Sequence, residues 1–201
     1  MNLQTQQNRS LWMRWRVRLG YPVGILFWFF AAPTLRWIFY GALIAFGGLA
    51  IRAYAAGYLV KYQQLATSGP YARTRNPLYF GSALMAVGFA VAGRSWISGA
   101  IVLGYFAAVY YAVMRNEESD LRARYGAAFE EYVARVPLFL PRIWGARRAA
   151  AGEAPSHFSW AQYRRNREWR ALLGTLIGIG IVALRIYASG WWHATIAAMH
   201  W

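Results

Sequence analysis

The sequence predicts an all-α fold, an integral membrane helical bundle of about five transmembrane helices with a cytoplasmic amphipathic helix. Three observations predict it. Of the 201 residues, 58% are hydrophobic, where a soluble domain carries roughly 45–50%. All seven acidic residues fall between Glu117 and Glu168, so no carboxylate side chain interrupts the chain before that point. The basic residues, which give a net charge of +15, cluster at the ends of apolar runs. A nucleic-acid surface would instead be an exposed basic stripe on a soluble fold, so no nucleic-acid partner is expected. The positions of the charges suit topology signals and contacts with anionic membrane lipid.

Five apolar runs are long enough to be read as spans: Val17–Ala32, Trp37–Val60, Leu78–Gly93, Trp96–Met114 and Ala171–Gly190. The first has the basic flank of a signal peptide. Phe29 and Phe30, however, occupy the place where cleavage needs small residues, which predicts a retained helix. The connections Pro33–Arg36 and Arg94–Ser95 are short, so spans one and two, and spans three and four, form helical hairpins. With the N-terminus inside, 18 of the 22 basic residues lie on the cytoplasmic side. They include Arg9, Arg14, Arg16, Lys61, Arg73 and Arg75. That bias orients the chain and places its C-terminus in the periplasm if the membrane is a bacterial inner one. One lysine against 21 arginines points to a GC-rich bacterial genome.

Two arginines lie within the spans. Arg185 sits near the outer end, where snorkelling explains it. Arg52 is nine residues from Lys61, roughly 13 Å deep at helical rise. It either snorkels or lines a polar cavity that opens inward. Gly174-x-x-x-Gly178 in the last span is a close-packing pattern, used within the chain or in a homodimer.

The chemistry is expected in two cytoplasmic segments. In the first, Gln63–Gly81, Gly69-Pro70 is a turn and Asn76-Pro77 opens the third span. Two aromatics and two arginines crowd a helix N-terminus, whose free N–H groups favour an anionic ligand. In the second, Arg115–Pro137, the residues Leu121, Tyr125, Phe129, Tyr132 and Val136 form one stripe of an amphipathic helix ended by Pro137. Continued backward, the stripe reaches Glu118, with Glu117 at its edge. A carboxylate there needs a cationic partner, and Arg115 or Arg122 is the plain structural choice. The chain has no cysteine, which excludes disulfides and thiolate chemistry, and no metal site is expected.

At these residues the sequence resembles the isoprenylcysteine carboxyl methyltransferase and phospholipid N-methyltransferase superfamily. The shared pattern reads here Gly69-Pro70-Tyr71, Arg75-Asn76-Pro77-Leu78-Tyr79-Phe80-Gly81, Glu117-Glu118, Tyr125-Gly126, Phe129, Tyr132 and Val136-Pro137. The resemblance covers roughly residues 63–141 and so implies a core over 1–141, with 142–201 as an interfacial linker and fifth span. It implies methyl transfer from S-adenosylmethionine to a lipophilic acceptor, a prenylcysteine-like carboxylate or a lipid amine. It further implies Gln63, Leu65, Ala66, Tyr71, Asn76, Pro77, Leu78, Tyr79, Gly81, Glu117 and Glu118 around the cofactor. Arg75, Asn76 and Glu117 would stand at the reacting centre, and Arg52 and Arg115 toward the substrate. Between the two glutamates the resemblance places Glu117 at the cofactor, a choice supported by an expected helix break between Met114 and Leu121. Periodicity favours Glu118.

Three positions depart from the family pattern. Asn76 and Gln63 stand where many members have histidine, and Val113 stands where an arginine is thought to contact substrate. No His–Asp pair is poised as a base, because His157, His193 and His200 lie in the tail or on the outer side. An acceptor that is already nucleophilic, or an amine deprotonated by solvent, is therefore favoured. Two other readings remain: an NADPH-dependent sterol-type membrane reductase and a non-catalytic membrane scaffold.

Overall fold

All regular structure is helical in the computed structural model, which describes residues 18–59, 65–142 and 157–199, with side chains as far as Ala188. Gln63, Lys61, Arg9, Arg14 and Arg16 fall outside the described residues, as does most of the Ala/Gly-rich stretch after Arg142. The helices are α1 (Arg18–Phe30), α2 (Leu35–Tyr58), α3 (Pro77–Gly93), α4 (Trp96–Tyr125), α5 (Ala127–Arg135), α6 (Trp160–Arg165) and α7 (Trp169–Met199). A 3-10 turn over Gly69–Ala72 lies between α2 and α3.

By length and composition, α2, α4 and the Trp169–Ala188 part of α7 are able to cross a membrane. The other two predicted spans, α1 and α3, are apolar but shorter. The 17 residues of α3 rise about 26 Å, a little less than the roughly 30 Å hydrocarbon layer. The five expected spans are thus three full-length helices and two shorter ones. Large apolar side chains such as Phe39, Leu43, Ile177 and Leu184 are exposed on the outside of the bundle. Hydrocarbon accommodates such a surface and water does not.

Small residues set the central packing. A Cβ built at Gly41 would lie 2.3 Å from the Gly88 carbonyl oxygen, and one at Gly48 would lie 2.4 Å from that of Gly81. The backbones of α2 and α3 therefore touch, as small residues permit where no water drives helices together. Phe27, Ala31, Ile38, Ala92 and Val182 converge where α1, α2, α3 and α7 meet. Gly178 abuts the Phe89 ring, so this half of the Gly174-x-x-x-Gly178 pattern packs within the chain.

Arg185 does more than reach for the interface. Its guanidinium donates to the Trp28 carbonyl at 3.1 Å and the Phe29 carbonyl at 3.4 Å, and it lies over the Trp28 ring. Those carbonyls belong to the last turn of α1, which has no helical donors left to satisfy them. A cation there also suits the negative end of the helix dipole.

The amphipathic segment differs from its prediction in one respect. The helix does not break after Met114: α4 runs unbroken through both glutamates for 30 residues. The break falls at Gly126, where φ is +51°. This splits the stripe between the end of α4 and α5, yet Phe129, Tyr132 and Val136 are still buried together against Leu65, Leu121 and Tyr125. An L-residue at Gly126 would strain that backbone, so Gly126→Ala is expected to cost about 1–3 kcal/mol. Thermal unfolding in detergent would show it as a lowered midpoint.

Candidate active site

The loop before α3 is laced to the segment after α5 almost entirely through backbone carbonyls. The Arg75 N–H donates to the Pro137 carbonyl at 2.9 Å. The Thr74 hydroxyl donates to the Phe139 carbonyl at 2.9 Å, and the Asn76 side-chain amide donates to the Leu138 carbonyl at 2.9 Å. The Arg142 N–H returns to the Arg73 carbonyl at 2.9 Å. From α5, the Tyr132 hydroxyl donates to the Tyr71 carbonyl at 2.7 Å. Pro137 cannot continue a helix, and the extended chain after it presents its carbonyls in a row. This lacing joins the two chemically loaded segments.

The polar end of α4 then meets the first turn of α3. Glu118 is buried, at 3% exposure, and its two oxygens are divided between two arginines. One oxygen takes the Arg75 guanidinium; the other takes Arg115 at 3.0 Å. The expected pairing of the acids with Arg115 is therefore present at Glu118, with Arg75 added. Glu117, one residue earlier and more exposed, accepts the Tyr79 hydroxyl at 2.6 Å. Burying a carboxylate is costly unless it is paired and hydrogen-bonded, and Glu118 meets that condition with two charge-assisted bonds.

Two buried polar atoms here have no partner among the described residues: the Tyr71 hydroxyl and the Arg75 Nε. Such a group costs about 1–3 kcal/mol when nothing answers it. Burial is the main cause pushing the Tyr71 phenol far above its ordinary range, with Tyr132 and Glu117 adding to it. Burial raises the Tyr132 phenol as well. Both stay neutral at physiological pH, so they can donate hydrogen bonds but do not serve as phenolate bases.

The predicted site residues divide into groups. Arg75, Tyr79, Glu117, Glu118 and Arg115 come together, with Tyr71 within electrostatic reach of Glu117. Asn76 and Pro77 are buried at the start of α3, where the Asn76 amide is engaged by the Leu138 carbonyl. Leu65 packs against the Phe129–Tyr132 cluster and Ala66 is half-buried beside it in sequence. Gly81 faces α2, where an added Cβ would meet Gly48 and Arg52. The Leu78 carbonyl is taken by Ser82 and Arg52. Arg52 itself is turned toward Glu168, just before α7. Sequence reasoning missed Glu168 and the row of carbonyls from Pro137 to Phe139. Glu168 did leave a signal, since an arginine deep in a span calls for a carboxylate and this one immediately precedes another span.

The sequence comparisons bear on this assembly. Residues 34–128 match the phospholipid methyltransferase family. That stretch of the chain belongs to this family of membrane methyltransferases. It takes in α2, α3, α4 and both glutamates, and stops before the carbonyl row and Glu168.

Two curated proteins are similar to part of this chain. One is the nickel-cobalt-cadmium resistance protein NccN of Alcaligenes xylosoxydans xylosoxydans, 37% identical over 83 residues. The other is the cobalt-zinc-cadmium resistance protein CzcN of Cupriavidus metallidurans, also 37% identical over 83 residues. In each case the match covers 41% of this chain and only 38% of the relative. No solved structure matches. Among the described residues there is no group of three or more His, Cys, Asp or Glu side chains placed to hold a metal ion.

Proposed function

We propose that the chain is an integral-membrane methyltransferase that takes a methyl group from S-adenosylmethionine and passes it to a lipophilic acceptor at the cytoplasmic face of a bacterial inner membrane. One observation carries this reading. Within the family stretch, a buried Arg75 anchored by Glu118 has an Nε, and a nearby Tyr71 a hydroxyl, that no described residue answers, beside the Glu117–Tyr79 pair.

These residues fit the cofactor. Arg75 Nε–H and the free N–H groups at the start of α3 suit its carboxylate. Glu117, held by one hydrogen bond and otherwise exposed, suits its ammonium. The neutral Tyr71 hydroxyl is a donor for a ring nitrogen or ribose oxygen. When bound, S-adenosylmethionine supplies an electrophilic methyl group open to in-line displacement, a reaction that chiefly needs positioning and exclusion of water. Glu118 holds Arg75 in place and α4 with α5 shields one side. Neither neutral phenol removes a proton, so the acceptor arrives already nucleophilic, as a carboxylate or an amine deprotonated by solvent.

The cytoplasmic face rests on the positive-inside bias, since Arg73, Arg75, Arg115, Arg122 and Arg124 all lie at this end of α3 and α4. The test is calorimetric titration of the purified protein with S-adenosylmethionine, followed by incubation with a labelled methyl donor and bacterial lipid extract. Saturable binding and label in the lipid phase are expected, with Arg75→Met abolishing both. Saturable NADPH binding with none of S-adenosylmethionine would replace this reading with a reductase.

A further inference from the structure

Arg52 is saturated from within the protein. A guanidinium has five N–H donors, and here each has an acceptor. Nε and Nη2 form a fork on Glu168, at 3.0 Å to Oε2 from Nε and 2.9 Å to both oxygens from Nη2. Nη1 reaches the Leu78 carbonyl at 3.2 Å and also the Ser82 hydroxyl. Both side chains of the ion pair are largely buried, at 18% and 11% exposure. Leu78 and Ser82 are in the opening turns of α3, next to Asn76, Pro77 and Tyr79.

The segment that supplies Glu168 is independently fastened to the end of α2. The Asn166 amide donates to the Ala56 and Leu59 carbonyls at 2.8 and 2.9 Å. The Gln162 amide donates to the Leu59 carbonyl at 2.7 Å, and the Ser159 N–H to the Gly57 carbonyl at 3.0 Å. Phe158 lies so close to Gly57 that a Cβ there would be 2.3 Å from its ring. These carbonyls lie in the last turn and at the C-cap of α2, beyond the reach of the regular i+4 ladder. Glu168 is thus presented to Arg52 on a braced support.

We propose that Glu168 and Arg52 are a positioning pair through which the C-terminal segment, outside the family stretch, sets the first turn of α3 and with it the cofactor site. The inference rests on the methyltransferase reading for its functional consequence, but its structural part does not. Glu168 fixes the plane of the guanidinium, and the far edge of that plane holds the Leu78 carbonyl and Ser82. Loss of the fork leaves Arg52 free to rotate, and the α3 turn loses its brace. Arg52 then contributes to the reaction through α3, with no donor left for a substrate.

The test uses the full-length protein in detergent with Glu168→Ala, Glu168→Gln and Arg52→Lys. It also uses the exchanged pair Arg52→Glu with Glu168→Arg, and each variant is checked for helicity. Amide hydrogen exchange over residues 78–84 is expected to speed up in Glu168→Ala and Arg52→Lys. The dissociation constant for S-adenosylmethionine is expected to rise about tenfold, the scale of one lost bond to a charged group. Glu168→Gln, which keeps one acceptor, is expected to fall between. The exchanged pair regains an ion pair but not the contacts with Leu78 and Ser82, so its thermal midpoint recovers while its affinity does not. A merely structural tie would open residues 52–58 and 157–172 and leave α3 protected, and that result overturns the proposal. So does wild-type affinity in folded Glu168→Ala. If the wild-type protein does not bind S-adenosylmethionine, the methyltransferase reading falls, and the exchange pattern over α3 still decides this one.

Discussion

Glu118→Ala is expected to unfold the polar end of α4 and the loop around Arg75 well before the bundle itself. The substitution leaves two cations facing a site built for one carboxylate. Arg115, with 57% of its side chain exposed, can rehydrate, but Arg75, at 12%, cannot do so without leaving the loop. Removing one partner of a buried ion pair costs about 3–5 kcal/mol, and the value here belongs at the lower end because one of the two arginines escapes to water. The loop around Arg75 is tied to Pro137, Leu138 and Phe139, so the loss extends to the packing of α5. Glu117→Ala is the informative contrast. It removes one hydrogen bond, to Tyr79, at a largely exposed carboxylate, worth about 1–1.5 kcal/mol at most. Under the proposed function both variants lose S-adenosylmethionine affinity, but only Glu118→Ala loses thermal stability. Paired thermal scans and titrations separate the residue that holds the ligand from the one that holds Arg75. Wild-type affinity in Glu117→Ala would remove that residue from the cofactor site.

Helix type and much of the site were legible in the sequence because they rest on local rules. The absence of carboxylates before Glu117, with apolar runs of span length between basic ends, reads as helices in a bilayer. Pro77 at the head of α3 and the stripe from Leu121 to Val136 follow from the geometry of a single helix. Periodicity alone put Glu118 on the buried side, which is where it lies. Gly126 was harder to read. In sequence it is one more tolerated glycine within a periodic stretch, and only its positive φ reveals that it divides the helix. The partner of Arg52 was hard to read for another reason: the need for a carboxylate was legible, but not which one. Glu168 is separated from Arg52 by 116 positions, and no periodicity carries information over such a distance. The carbonyls that receive Thr74 and Asn76 are backbone atoms, and any residue at positions 138 and 139 would supply them.

The second large effect concerns the contact of α2 with α3, where a bulky residue at Gly88 is expected to be more damaging than any polar change in the site. An added Cβ at Gly88 would sit 2.5 Å from the Gly41 carbonyl oxygen and 2.8 Å from the Ala45 nitrogen. These are backbone atoms, so no side chain can swing aside, and the helices must separate. Overpacking in a tight interior typically costs about 1–3 kcal/mol, and Gly88→Leu is expected to exceed that range because two backbones must move. Gly47 and Gly104 provide the control, since nothing lies within 4 Å of a Cβ built at either. Gly47→Ala and Gly104→Ala should keep the wild-type elution profile and thermal midpoint in detergent. Gly88→Leu should shift to aggregate or lose yield, and Gly88→Ala should fall between. The milder variant is the more revealing one. Arg52 is on α2 and the Leu78 carbonyl it holds is on α3, so a small displacement of the helices lengthens that bond before the fold is lost. Under the proposed function, Gly88→Ala should therefore weaken S-adenosylmethionine binding while most of the protein is still folded. Unchanged affinity in the folded fraction would mean that the cofactor site is insulated from the helix contact beneath it.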